Sequence, residues 1–210
     1  MLGILIPYAS FLEFRTYQME NIKRHVKCPH KVYILHAKPH RIPSTGHQNS
    51  LNALLDSSWE ECDSFLFFDN DMIFLDDFEE PEEDCWYLPQ ERQGYTYAWP
   101  NLFYFKKHPL MRRVGYANGS DSGGSSWQYL LEISKKKEIL RDEEGFPEFQ
   151  EDYKNLCEEY KIRKWIDRFL IHKTYVFHFR AVSNWIHYPR EFNEKKERLI
   201  LHHVMVKQNS

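Results

Sequence analysis

Two aspartates one residue apart, Asp69 and Asp71, follow directly on the apolar run Phe65-Leu66-Phe67-Phe68. A run of that length reads as a buried strand, so both carboxylates leave its carboxyl end together. In open parallel sheets, ligands bind outside the carboxyl ends of the strands. Two carboxylates on a turn at such an end can face one hard cation, and carboxylate oxygen suits Mg²⁺ or Mn²⁺. Such an ion keeps positions open for phosphate oxygens and offsets charge on a departing diphosphate. The plainer role for an acidic pair in this place is to form a turn or cap a helix. A calcium loop of the EF-hand kind is excluded, because Ile73 and Phe74 stand where that loop needs an oxygen ligand and a glycine.

A third carboxylate, Asp121, lies in Gly119-Ser120-Asp121-Ser122-Gly123-Gly124, which reads as a flexible polar loop near Trp127. From such a loop a carboxylate can take the proton of an acceptor hydroxyl, a contribution of roughly 10²–10⁴ in rate. Its structural alternative is the N-cap of the helix that follows. Trp99, Trp127 and Trp185 offer faces on which sugars can stack, although tryptophan more often belongs to the core.

The elements that must position these residues alternate. Leu2 to Ile6 reads as a strand closed by Pro7, followed by a helix that Ser10 can cap, with Phe14, Tyr17, Ile22 and Val26 near one face. Lys31 to His36 is a second strand, Ser50 to Ser57 a helix, and Ser64 to Phe68 the third strand. Strand and helix in this order predict βαβ units and a mostly parallel sheet. Beyond Pro81, Tyr95 to Trp99 and Leu102 to Phe105 read as two strands split by Pro100-Asn101, and Gly115 to Gly124 as a loop. Helices are expected from Trp127 to Ile133, Gln150 to Tyr160 and Glu191 to Val206, with a late strand from Tyr175 to Phe179.

Composition bounds the function. With 42% hydrophobic and 16% aromatic residues, a chain of 210 residues can build a core as one domain, alone or as a module of a longer protein. A net charge of -3 excludes a nucleic-acid binder that works by bulk positive charge. Acid gathers from Asp69 to Asp84, base at Lys135-Lys136-Lys137 and in the C-terminal tail, and such runs read as solvated faces. The four cysteines, Cys28, Cys62, Cys85 and Cys157, have neither zinc-site spacing nor the density of a disulfide scaffold, so reduced thiols in the cytoplasm are expected. No secretory leader or apolar run of about 20 residues is visible, so no membrane segment is expected.

Taken together, Phe65 to Phe74, FLFFDNDMIF, resembles the strand and DxD motif of GT-A-type glycosyltransferases. Gly46-His47-Gln48-Asn49-Ser50-Leu51-Asn52 is similar to the segment before that strand, whose polar residues approach the donor. Val176-Phe177-His178-Phe179, followed by Trp185, is similar to the late strand whose histidine is the third metal ligand. The chain departs from the family at Ser183-Asn184, where Lys-Pro is usual and touches the donor phosphates.

The resemblance implies a single GT-A-like (Rossmann-like) α/β domain with a mostly parallel central sheet flanked by helices. About residues 1–80 would form the nucleotide-sugar half and about 81–210 the acceptor half. It implies donor contacts from Pro7, Tyr8, His47, Ser50, Asn52, Asp69, Asn70 and Asp71. Tyr8 would stack on a uracil, which makes a UDP-sugar the expected donor, while Ser50 and Asn52 would reach ribose or sugar, or else cap their helix. Mn²⁺ or Mg²⁺ would be held by Asp69, Asp71 and His178, Asp121 would be the base, and Trp127 and Trp185 would meet the acceptor. The expected activity is transfer of a hexose or deoxyhexose to a glycan or glycoprotein. One rival is a phosphotransferase of the haloacid-dehalogenase type, in which the first aspartate of a DxD is a nucleophile. That motif normally opens its domain, whereas two strands precede it here. The other rival is a non-catalytic, metal-dependent sugar-binding module.

Overall fold

The structure is a computed structural model that describes residues 1–8, 12–36, 43–92, 94–117, 121–122, 126–133, 137–139, 142–144, 147–162, 170–172, 176–178 and 188–208. The chain runs β1 (Leu2–Tyr8), α1 (Leu12–His25), β2 (His30–His36), α2 (Pro43–Ser58), β3 (Ser64–Phe68), β4 (Met72–Phe74), β5 (Cys85–Arg92) and β6 (Tyr95–Lys106). A 3₁₀ turn at Pro109–Met111 leads to β7 (Tyr116–Ala117), β8 (Asp121–Ser122), α3 (Ser126–Glu132) and β9 (Lys137–Ile139). Then come β10 (Asp142–Glu144), α4 (Pro147–Glu159), β11 (Leu170–His172), β12 (Val176–His178) and α5 (Arg190–Gln208). The fold is α/β.

Two compact units divide the chain, each drawing segments from both sides of residue 80. The first comprises Met1–Ala9, Val26–Asn70 and Glu79–Arg141, and the second Ser10–His25, Asp71–Phe78 and Asp142–Ser210.

In the first unit a six-stranded sheet has the order β2-β1-β3-β6-β5-β9. β1 is parallel to both β2 and β3, whereas β6 is antiparallel to β3 and to β5. β9 is parallel to β5, so β6 alone runs against the other five strands: the sheet is mixed, with parallel strands in the majority. Its antiparallel part follows from the β5–β6 hairpin, which turns at Gly94 with φ +79°, a conformation glycine adopts without strain. The central β1 buries Leu2, Ile4, Leu5 and Ile6, as a strand flanked on both edges should. Gly3 lies within it because a Cβ there would come within 3.0 Å of Cys62 Sγ and 3.3 Å of the Phe65 ring. Leu51, Leu54 and Leu55 line one face of α2 and pack with Leu5, Phe67, Phe103, Phe105 and Tyr129.

Two expectations about proline are corrected. Pro7 does not close β1, which continues to Tyr8 paired with β2. Pairing with β3 has ended at Leu5, so the missing N–H of Pro7 leaves no gap on that side. Pro100 likewise does not split a strand in two, because β6 runs unbroken from Tyr95 to Lys106. Its register against β5 shifts instead, from Tyr87 opposite Phe103 to Pro89 opposite Ala98. Trp99, Pro100 and Asn101 are the surplus residues of that bulge.

In the second unit, four antiparallel strands are ordered β10-β11-β12-β4. The free side of β4 is covered by α1. Asn21 donates to Phe74 O and accepts from Phe74 N, both at 2.8 Å, and Gln18 donates to Met72 O at 2.9 Å. Side-chain amides thus continue the strand's ladder. Ile73 packs with Phe149, Tyr153 and Cys157 of α4 and with Phe192 and Ile200 of α5. The charged tail is not wholly a solvated face: Lys196 and Glu197 of α5 are buried, and the Lys196 ammonium lies 4.9 Å from the centre of the Tyr153 ring. All four cysteines are free thiols. Among the described residues, no helix is long and apolar enough to cross a membrane.

Candidate functional site

β3 is buried along its whole length, and at its carboxyl end Asp69 is still only 7% exposed. Burying a carboxylate is costly unless hydrogen bonds compensate it. Here the compensation comes from two directions. His47 Nε2 lies 2.8 Å from Asp69 Oδ1, and Asn101 Nδ2 donates to Asp69 Oδ2. The Asp69 N–H also donates to Asn101 O at 3.0 Å, so one residue of the β6 bulge grips both backbone and side chain. Pro100 lies within the bulge, Pro89 stands opposite its start, and the bulge delivers Asn101.

α2 supplies His47 by the same logic. The face that buries Leu51, Leu54 and Leu55 continues back one turn to His47. A helix joining parallel strands runs against them, so its amino end lies at their carboxyl end. α2 begins at Pro43, well before the expected Ser50, and this places two donor candidates mid-helix. Ser50 caps nothing: its hydroxyl donates to Gly46 O at 2.9 Å. Asn52 clamps Val114, accepting from its N–H at 2.7 Å and donating to its C=O at 3.2 Å, while Gln48 donates to the same carbonyl at 2.8 Å.

Asn70 and Asp71 form the turn after Asp69, and both are buried. The chain passes there from the first unit into the second. Within the second unit, β12 sets His178 directly opposite Met72, the residue that follows Asp71. The side chains of His178, Tyr8 and Asp121 lie outside the described residues, as does Trp185 altogether. Among the described residues, no group of three or more His, Cys, Asp or Glu is gathered to hold a metal.

Asp121 is not in an open loop. It belongs to β8, which pairs antiparallel with β7 (Ala117 opposite Asp121) and lies against α2. α3 starts at Ser126, so Asp121 is too far upstream to cap it. Trp127 is half-buried on α3, its ring centre 5.3 Å from that of Tyr95.

Sequence reading missed Asn101 and gave Gln48 no task. The one available signal for Asn101 was a proline inside an otherwise apolar strand, a common mark of a bulge.

No family model matches this sequence, and no curated protein matches it. Among solved structures the chain is similar to the crystal structure of A197 from STIV, at 7% identity and a TM-score of 0.37, over 66% of this chain and 80% of that one. A likeness that slight carries no argument.

Proposed function

We propose that this protein is a metal-dependent glycosyltransferase that moves a hexose or deoxyhexose from a nucleotide sugar, with UDP as carrier, to a glycan or glycoprotein acceptor. The observation that carries the reading is the pair of buried aspartates after β3, the first held at both carboxylate oxygens by His47 and Asn101. Hydrogen bonds of this kind orient carboxylates that ligate metals. Hard oxygen donors fit Mn²⁺ or Mg²⁺, which when bound would neutralise the diphosphate leaving group. In this reading Asp69, Asp71 and His178 hold the ion, Tyr8 stacks on the uracil and Asp121 is the base.

Calorimetric titration of UDP with and without Mn²⁺ tests the proposal. The parent protein is expected to bind UDP only with the metal, and Asp71→Ala to lose that binding while keeping its circular dichroism spectrum. UDP binding by Asp71→Ala in Mn²⁺ equal to the parent's would remove the assignment.

A further inference from the structure

Large apolar side chains are rarely exposed among the described residues of this protein, and two that are stand together. Tyr95 is 48% and Leu131 66% exposed. Trp127 joins them: it lies one helical turn before Leu131 on α3, with its ring tilted 48° to that of Tyr95. The arrangement is rigidly built. The Ala98 N–H donates to Ser126 Oγ at 2.7 Å, and Ser126 is 1% exposed. That buried bond ties the strand carrying Tyr95 to the first turn of the helix carrying Trp127. The hairpin turn at Gly94 fixes Tyr95 from its other side.

Thr96, Gln128 and Glu132, the chain neighbours of Tyr95, Trp127 and Leu131, are exposed, and Glu132 lies 3.4 Å from His108 Nε2. A protein partner of ordinary size needs about 800 Å² of each surface. Two partly covered rings and a leucine supply far less, and the polar rim would lose its water. A pyranose fits better. Its ring presents a C–H face about as large as an aromatic side chain, with hydroxyls at the edge that can stay in water.

We propose that Tyr95 and Trp127 form a platform that binds a sugar unit of an oligosaccharide. Its use as an acceptor subsite rests on the transferase reading. β6 carries Tyr95 at its start and Asn101, bonded to Asp69, six residues on. Six residues of extended strand cover about 20 Å, less the shortening at the bulge. A sugar on the platform is therefore not the reacting one but a more distant unit of the same acceptor chain, so the acceptor class is an oligosaccharide several units long.

Saturation-transfer NMR with maltohexaose, cellohexaose, mannohexaose and xylohexaose, each beside its monosaccharide, tests this. At least one hexasaccharide is expected to show transfer to its ring C–H protons and to quench tryptophan fluorescence, with its monosaccharide binding far more weakly. Trp127→Ala and Tyr95→Ala should each weaken binding roughly tenfold or more, the loss typical of a principal aromatic anchor, and Trp127→Phe and Tyr95→Phe should restore most of it. The platform is overturned by no binding of any hexasaccharide, by alanine variants that bind as the parent does, or by a concentration-dependent dimer that Trp127→Ala abolishes. Saccharide binding in a parent that fails to bind UDP with Mn²⁺ would sink the transferase reading while leaving the platform.

Discussion

Asn101 is bound to Asp69 twice, through its side-chain amide and through its own carbonyl, and His47 holds the opposite carboxylate oxygen. Two partners on one buried carboxylate offset the cost of its burial and fix its orientation. If Asp69 serves a metal, the consequence of removing Asn101 is calculable. Partners of this kind are worth about 10–100-fold in metal affinity. Asn101→Ala should therefore weaken Mn²⁺ by that factor, read directly from free Mn²⁺ in electron paramagnetic resonance titrations without nucleotide. Unchanged Mn²⁺ affinity in a folded Asn101→Ala variant would leave Asn101 a purely structural residue. That Asp69 and Asp71 stand at the end of β3 was legible in sequence, because they follow directly on an apolar run. Their partners were less so. His47 could be placed on a donor-side helix, but its bond to Asp69 depends on how α2 lies across the sheet. Asn101 comes from a strand 32 residues away.

Elements were legible where one periodicity governed them, as in β1, β3 and α4, and illegible where a tertiary contact overrode it. α1 shows why. Its expected apolar positions include Ile22, which is buried, yet Gln18 and Asn21 are buried beside it. Polar residues on a helix are normally assigned to water, and nothing local reveals that these two complete the edge of β4. Asn21 satisfies both the N–H and the C=O of Phe74, so its loss strands two buried backbone groups at once. Asn21→Leu should destabilise the fold by about 1–3 kcal/mol for each group left unsatisfied, measured by urea denaturation. An unchanged midpoint would mean that the pairing with β12 alone holds β4. The bulge in β6 teaches the same lesson. Proline in an apolar strand allowed a break or a bulge, and only the register against β5 decided between them.

At the scale of the whole molecule, an aromatic share of 16% made a core predictable without saying which rings would carry a polar end into it. Tyr104 and Tyr129 do so in the first unit, at 0% and 1% exposure. Tyr104 donates to Glu80 Oε1 at 3.0 Å and Tyr129 to Asp84 O at 2.9 Å. Burial pushes both phenols well above the ordinary tyrosine range. The Glu80 carboxylate adds to this for Tyr104, and Cys85 and Asp84 for Tyr129. The folded protein therefore keeps both protons at a pH where the unfolded chain releases them. Their contribution to stability is complete below the unfolded value of about 10 and falls away as pH rises above it. Each such phenol steepens the loss by about 1.4 kcal/mol per pH unit. Urea denaturation at pH 9, 10 and 11 should show stability falling more steeply over the second step than over the first. Absorbance near 295 nm should show part of the tyrosine titration delayed until the fold is lost. Tyr104→Phe removes one of these ionisations, so its stability should fall less steeply between pH 10 and 11 than the parent's. Equal slopes, or full tyrosine titration in a protein still folded at pH 11, would show that these phenols are not held protonated by the core.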